Sequence, residues 1–259
     1  MAENEFRRLR VGLRRRFTQR RHSALLVAII ALFAVRPLLS DHGASPAAFS
    51  VAFLVVMLVA LYNINVDELV GDRQRLVVQS RRRRIIGWVL ALAAITERVV
   101  ILVSPTHHLY VLGTVSWFLF FCFVIWTELR SLLRHREVTG ETISLSVSLY
   151  LLMGLTWGIL YILLFQIEPH AFSSIDISNQ ALDPQPAFPV LIYFSLTTLT
   201  TIGYGDITPL TLQARYAAVA EGIAGQFYLA ILVARLVGIH MSQAASRDAD
   251  QKSQDTSID

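Results

Sequence analysis

The chain has 259 residues, is 54% hydrophobic and carries 16% charged residues, where a soluble domain has roughly 25%. Its formal net charge is +4, and every basic residue except Lys252 is Arg. Long apolar runs broken by short arginine patches exclude an ordinary soluble enzyme and a disordered chain. They predict an all-α integral membrane protein.

Residues 1–22 form a basic N-terminal segment whose arginines run from Arg7 to Arg21. Phe6, Leu9, Leu13 and Phe17 recur among them at helical spacing. Such a stripe suits an anionic lipid surface, and a plain topogenic charge run is the alternative. Val66, Leu69, Val70, Leu76 and Val77 form a second stripe of the same kind. The arginines sit between apolar runs, so no nucleic-acid partner is expected. A four-helix peripheral membrane domain follows over 23–127, with spans predicted at 23–40, 46–63, 85–104 and 109–127. Each approaches the roughly 20 apolar residues that a crossing needs. Arg36 and Pro37 interrupt the end of the first span. Glu97 and Arg98 lie inside the third, where charges are costly and face protein or water. Cys122, the single cysteine, lies in an apolar run and reads as an inert thiol. No Cys/His cluster has metal-ligand spacing.

Residues 128–142 read as a cytoplasmic linker with Arg130, Arg134 and Arg136. Two further spans are predicted, at 143–166 and 209–240. Loops 41–45, 104–108 and 167–209 contain no Lys or Arg. The positive-inside rule therefore places both termini in the cytoplasm, in agreement with six crossings. Residues 167–187 form a polar extracellular loop that carries Glu168, Asp176 and Asp183. These acids could concentrate cations at an outer mouth, or be ordinary solvated charge. Residues 188–200 are apolar but too short to span, so they read as a re-entrant helix, with Pro189 suited to a first helical position. Residues 241–259 form a polar cytoplasmic tail.

The re-entrant helix runs into Thr201-Ile202-Gly203-Tyr204-Gly205-Asp206. Irregular backbone at membrane depth is tolerated only inside protein or along a watery path. Two glycines at alternate positions permit φ values closed to other residues, so successive carbonyls can turn to one side. A ring of such carbonyls replaces the hydration shell of a monovalent cation. The helix before it directs its partially negative C-terminus at the same point.

These residues make 143–240 resemble the pore module of tetrameric potassium channels: outer helix 143–166, pore helix 188–200, selectivity filter 201–206 and inner helix 209–240. The resemblance implies K+ binding at Thr201, Ile202, Gly203 and Tyr204, with Gly205 completing the filter. It implies support from Asp206, Tyr193, Phe194, Thr197 and Thr200, with the Tyr193 hydroxyl within reach of Asp206. Thr197 stands where some members of that family have a Glu behind the filter. Gly225 aligns with the family's gating hinge, for which close helix packing is the alternative. Gln226, Leu229 and Val233 are cavity-lining candidates. Glu221 is expected to have a structural role rather than direct ion contact. Gly154 and Gly158 are expected to pack against the last helix. The family's four-fold filter implies a homotetramer with four-fold symmetry and 24 spanning helices.

Six helices with the pore last resemble voltage-gated channels, yet 109–127 carries no basic residue. Weak or absent voltage gating is therefore expected. The tail is too short for a ligand-sensing domain, so the gating stimulus is not visible. No cofactor fingerprint or nucleophile motif is present, so no enzymatic activity and no cofactor beyond permeant K+ is expected. The expected function is passive K+ conduction across a plasma membrane, consistent with a bacterial inner membrane. The competing functions are a non-selective cation channel and the pore subunit of a potassium uptake system.

Overall fold

The computed structural model describes residues 21–38, 45–70, 85–93, 95–96, 107–134, 138–173 and 187–256. Among them are seven helices: α1 (Arg21–Leu38), α2 (Ser45–Val70), α3 (85–93), α4 (His107–Arg134), α5 (Gly140–Ile167), α6 (Ala187–Leu199) and α7 (Leu212–Thr256). Three segments are long and apolar enough to cross a bilayer: Leu109–Leu133, Gly140–Ile167 and Leu212–Met241. The protein is therefore a helical membrane protein. The apolar parts of α1 and α2 that qualify are shorter, His22–Val35 and Val51–Asn63. The basic stripe at 6–17, Glu97, Arg98, Asp176 and Asp183 lie outside the described residues.

α5 is the hub, packed against α1, α4, α6 and α7. Its N-terminus is capped by Thr139, whose hydroxyl accepts from the Thr142 amide. At its other end the Glu168 N–H closes the last turn on the Leu164 carbonyl at 2.8 Å. One apolar core joins Leu25, Ile29 and Leu32 of α1, Phe53 and Met57 of α2, Phe120 and Phe121 of α4, and Leu152, Leu155 and Ile159 of α5. The Phe53 ring meets Trp117, Phe121 and Phe188 edge-on, with centroids 4.6–5.5 Å apart. Lipid tails are as apolar as these side chains, so tight packing rather than hydrophobic transfer holds such helices together. At the start of α1, Ser23 donates to Glu141 of α5 at 2.7 Å, and the His22 amide donates to the same carboxylate at 3.1 Å.

The helices overrun the boundaries set by hydropathy. The linker expected over 128–142 is helical at 128–134 and from 140 onward. The tail expected from 241 continues α7 as far as Thr256. Residues 242–256 contain no Gly or Pro, and an established helix propagates until something stops it. α6 begins at Ala187 and ends at Leu199, within one residue of the expected re-entrant helix.

Candidate functional site

The site is built at the C-terminus of α6. This helix has 13 residues, about 20 Å of rise, which is short of a bilayer's hydrocarbon thickness. Its last turn is tightened by side chains. The Thr197 hydroxyl donates to the Phe194 carbonyl at 2.9 Å, and the Thr200 hydroxyl to the Leu196 carbonyl at 2.6 Å. The chain then leaves the helix in a fixed way. The amides of Ile202 and Gly203 both donate to the Thr197 carbonyl, at 2.9 and 3.2 Å. One carbonyl thus anchors two successive residues of the loop.

The backbone hand alternates beyond that anchor. Thr201, Gly203 and Gly205 have φ of +61°, +55° and +79°, whereas Ile202 and Tyr204 between them do not enter the positive region. Alternation of hand allows consecutive peptide planes to turn so that their carbonyls face one way. Thr201 is the addition. A β-branched residue at positive φ is a genuine outlier, and such a conformation costs on the order of 1–3 kcal/mol that its surroundings must offset. Among the described residues no backbone amide donates to the carbonyls of Thr201, Ile202, Gly203 or Tyr204. Residues 201–206 are exposed, with Ile202 at 55% and Tyr204 at 69%. The segment presents a row of uncommitted oxygens.

The far end of the row is braced. Tyr193 of α6 donates to Asp206 Oδ2 at 2.9 Å, and the Ile207 amide donates to Oδ1 at 3.1 Å. The Tyr193 and Tyr204 rings lie parallel, 5° apart in plane, at 6.5 Å between centroids. After Asp206 the chain is stapled to the loop beyond α5. The Ser173 amide donates to the Thr208 carbonyl at 2.9 Å, and the Leu210 amide to the Ala171 carbonyl at 2.8 Å.

The other expected support residues lie in two places. Thr197 and Thr200 lie at the anchor, as described. The Phe194 ring meets Tyr161 and Phe172 edge-on at 5.0 and 5.4 Å, in one apolar cluster with Ile207.

α6 lies directly on α5, and this corrects the expectation for two glycines. A Cβ on Gly154 would stand 2.7 Å from Leu196 Cδ2, and one on Gly158 would stand 3.1 Å from Ile192 Cα. Both glycines face the re-entrant helix rather than the last helix. The close approach to α7 is made by Gly225 instead, where a Cβ would meet the Leu199 carbonyl at 2.8 Å. That carbonyl also accepts from Tyr150 of α5 at 2.9 Å. Gln226, Leu229 and Val233 are exposed, off the α7 stripe of Glu221, Gly225 and Tyr228 that faces its own chain.

Sequence reasoning left Glu221 without a partner. It is fully buried, and receives Tyr161 of α5 at 2.5 Å on Oε2 and lies 2.5 Å from Ser195 of α6 through Oε1. No carboxyl stands at 197, yet a carboxyl reaches the same helix from α7. The lone acid in an apolar helix was the signal; its partners lie 60 and 26 residues away.

A sequence profile of the family described as "Ion channel" matches residues 149–241, from within α5 to the end of the apolar part of α7. Protein LctB of Bacillus caldotenax is 31% identical over 113 residues, which cover 44% of this chain and 81% of that protein. The chain belongs to the pore-loop ion-channel family. No solved structure matches this channel. The matched segment is the part of the channel that contains α6, the row of carbonyls and α7. α1 to α4 lie outside it.

Proposed function

We propose that this channel conducts K+ selectively and passively, as a homotetramer in a plasma membrane with both termini cytoplasmic. The observation that carries the reading is the alternation of φ at Thr201, Gly203 and Gly205, with the intervening carbonyls uncommitted. Backbone oxygens from Thr201, Ile202, Gly203 and Tyr204 would take over the coordination of a dehydrated K+, and the Thr201 hydroxyl would meet it at the inner end. The anchor on Thr197 and the Tyr193–Asp206 brace would hold the row against collapse when an ion leaves.

One row cannot surround an ion, which supports several copies around an axis. The burial of the helices supports the same reading: 56% of the apolar window of α5 is buried within one chain, but only 6% of that of α7. Val219, Ile223, Phe227 and Ile231 of α7 are among its exposed apolar residues. Neighbouring copies and lipid would cover them, and Gln226, Leu229 and Val233 would line the inner cavity. Gly225 would serve as a hinge as well as a contact. The side chains of Leu109–Leu133 offer no charge to move except near the end, where Arg130 stacks 4.4 Å above Trp126. Steep voltage gating is not expected.

The test is current through purified protein in a planar bilayer with K+ on one side and Na+ on the other. Reversal close to the K+ equilibrium potential, with little dependence on voltage, is the expected result. Reversal near zero would make it a non-selective cation channel.

A further inference from the structure

The contacts of Glu221 can be counted proton by proton. Ser195 Oγ lies 2.6 Å from the Gly154 carbonyl oxygen and 2.5 Å from Glu221 Oε1. A carbonyl oxygen carries no hydrogen, and a serine hydroxyl carries one. The hydrogen in the first contact must therefore come from Ser195. The second contact then needs a hydrogen of its own, and only Glu221 can supply it. An ionised Glu221 would leave one of the two short oxygen pairs with no proton between its lone pairs.

The surroundings favour the same state. Glu221, Ser195 and Tyr161 are all fully buried. Among the described residues no basic side chain forms an ion pair with Glu221. The titratable neighbours are Tyr161, which donates to Oε2, and Tyr150, which is bonded to the Leu199 carbonyl on the same side of α5. A carboxylate here would be a buried charge without a counter-charge, which is costly in protein and more so at membrane depth.

We propose that Glu221 is held as a neutral carboxylic acid, the centre of a directed chain Tyr161 → Glu221 → Ser195 → Gly154 carbonyl, and that it positions the pore helix. In this chain each hydroxyl hydrogen has one acceptor. Tyr161 and Gly154 are seven residues apart on α5, two turns along one face. Ser195 sits in α6 two residues before Thr197, whose carbonyl anchors Ile202 and Gly203. Glu221 thus ties α7 and α5 to the helix that carries the row of carbonyls. Removing its proton leaves Ser195 one hydrogen for two acceptors and loosens α6 at the filter anchor. The consequence for current rests on the channel reading; the protonation state does not.

The test is infrared difference spectroscopy of the full-length channel in lipid at neutral pH, paired with bilayer current. Wild type is expected to show a carboxylic-acid carbonyl band that Glu221→Gln removes. Tyr161→Phe is expected to shift that band to higher frequency, because the carbonyl loses its donor. Gln can both donate and accept, so Glu221→Gln is expected to keep the current that Glu221→Ala loses. Wild-type current is expected to be lost as the bath is made alkaline, and Glu221→Gln to resist that loss. Identical acid bands in wild type and Glu221→Gln would overturn the proposal whatever ion the channel selects. Identical pH profiles would overturn the positioning role. If Glu221→Gln does not assemble, the Tyr161→Phe shift decides, and its absence counts against the chain. An acid band together with non-selective current would instead overturn the K+ reading and leave Glu221 neutral.

Discussion

α5 and α7 are both long and apolar, with spans of 28 and 30 residues, yet α5 is half covered by its own chain and α7 is nearly bare. The difference lies in what each helix must hold. α5 is fastened at many levels by α1, α4 and α6, and its small residues Gly154 and Gly158 let α6 approach backbone to backbone. α7 touches its own chain along one narrow stripe, where Glu221, Gly225 and Tyr228 reach α5 and α6. Most of the apolar surface of its span is uncovered, as a helix would be if its main partners were other copies. Two long apolar helices of one chain can thus differ widely in how much of their surface that chain covers.

The contrast can be broken most sharply at the row of carbonyls itself. Gly203→Asp, at φ +55° with no atom within 4 Å of a new Cβ, strains the backbone and adds a charge. Complete loss of K+ current with retained assembly is the expected result, read in bilayers and by size-exclusion chromatography.

The next largest effect is expected at the packed wall. Gly158→Leu would force a side chain against the Ile192 backbone and displace α6, at a cost of about 1–3 kcal/mol or more. Thermal unfolding in detergent should fall clearly, while Gly238→Ala, with open space at its Cβ, should stay close to wild type. Equal effects at both sites would remove the distinction between the two helices.

A cysteine at Ile223 in a Cys122→Ser background sharpens the other side. If the bare face of α7 meets other copies, a bifunctional thiol reagent should give linked dimers on a denaturing gel. A cysteine at the buried Leu152 of α5 should not.

The smallest effects are expected from single braces. Tyr193→Phe removes one hydroxyl donor from Asp206 and should speed the decay of sustained current by less than about tenfold, the weight of one ordinary hydrogen bond. Arg130→Gln should leave the conductance–voltage relation unchanged, because the guanidinium stacks on Trp126 near the end of α4 rather than moving through the membrane.

Much of the pore unit was legible before any coordinates. The glycine spacing foresaw positive φ at 203 and 205, the short apolar run foresaw α6, and the Tyr193–Asp206 pair was anticipated from the resemblance. Where helices end was less legible, because hydropathy reports where lipid ends and not where helical backbone stops. The polar residues after His240 continue α7 without a breaker. Thr201 at positive φ was not foreseen, since a threonine in a sequence carries no sign of the strain its neighbours impose.

The sequence alone determined that this is a helical membrane protein, and it located the stretch between a short helix and two alternate glycines on which the pore-loop family is built. Those properties are local: they depend on run length, residue type and spacing along the chain. Only the tertiary structure decided that Gly154 and Gly158 face the re-entrant helix, that Gly225 meets the Leu199 carbonyl, and that Glu221 reaches Tyr161 and Ser195. Such contacts join residues tens of positions apart, and their identity depends on how far each helix is rotated and shifted against the next, which no periodicity in a single strand of sequence records.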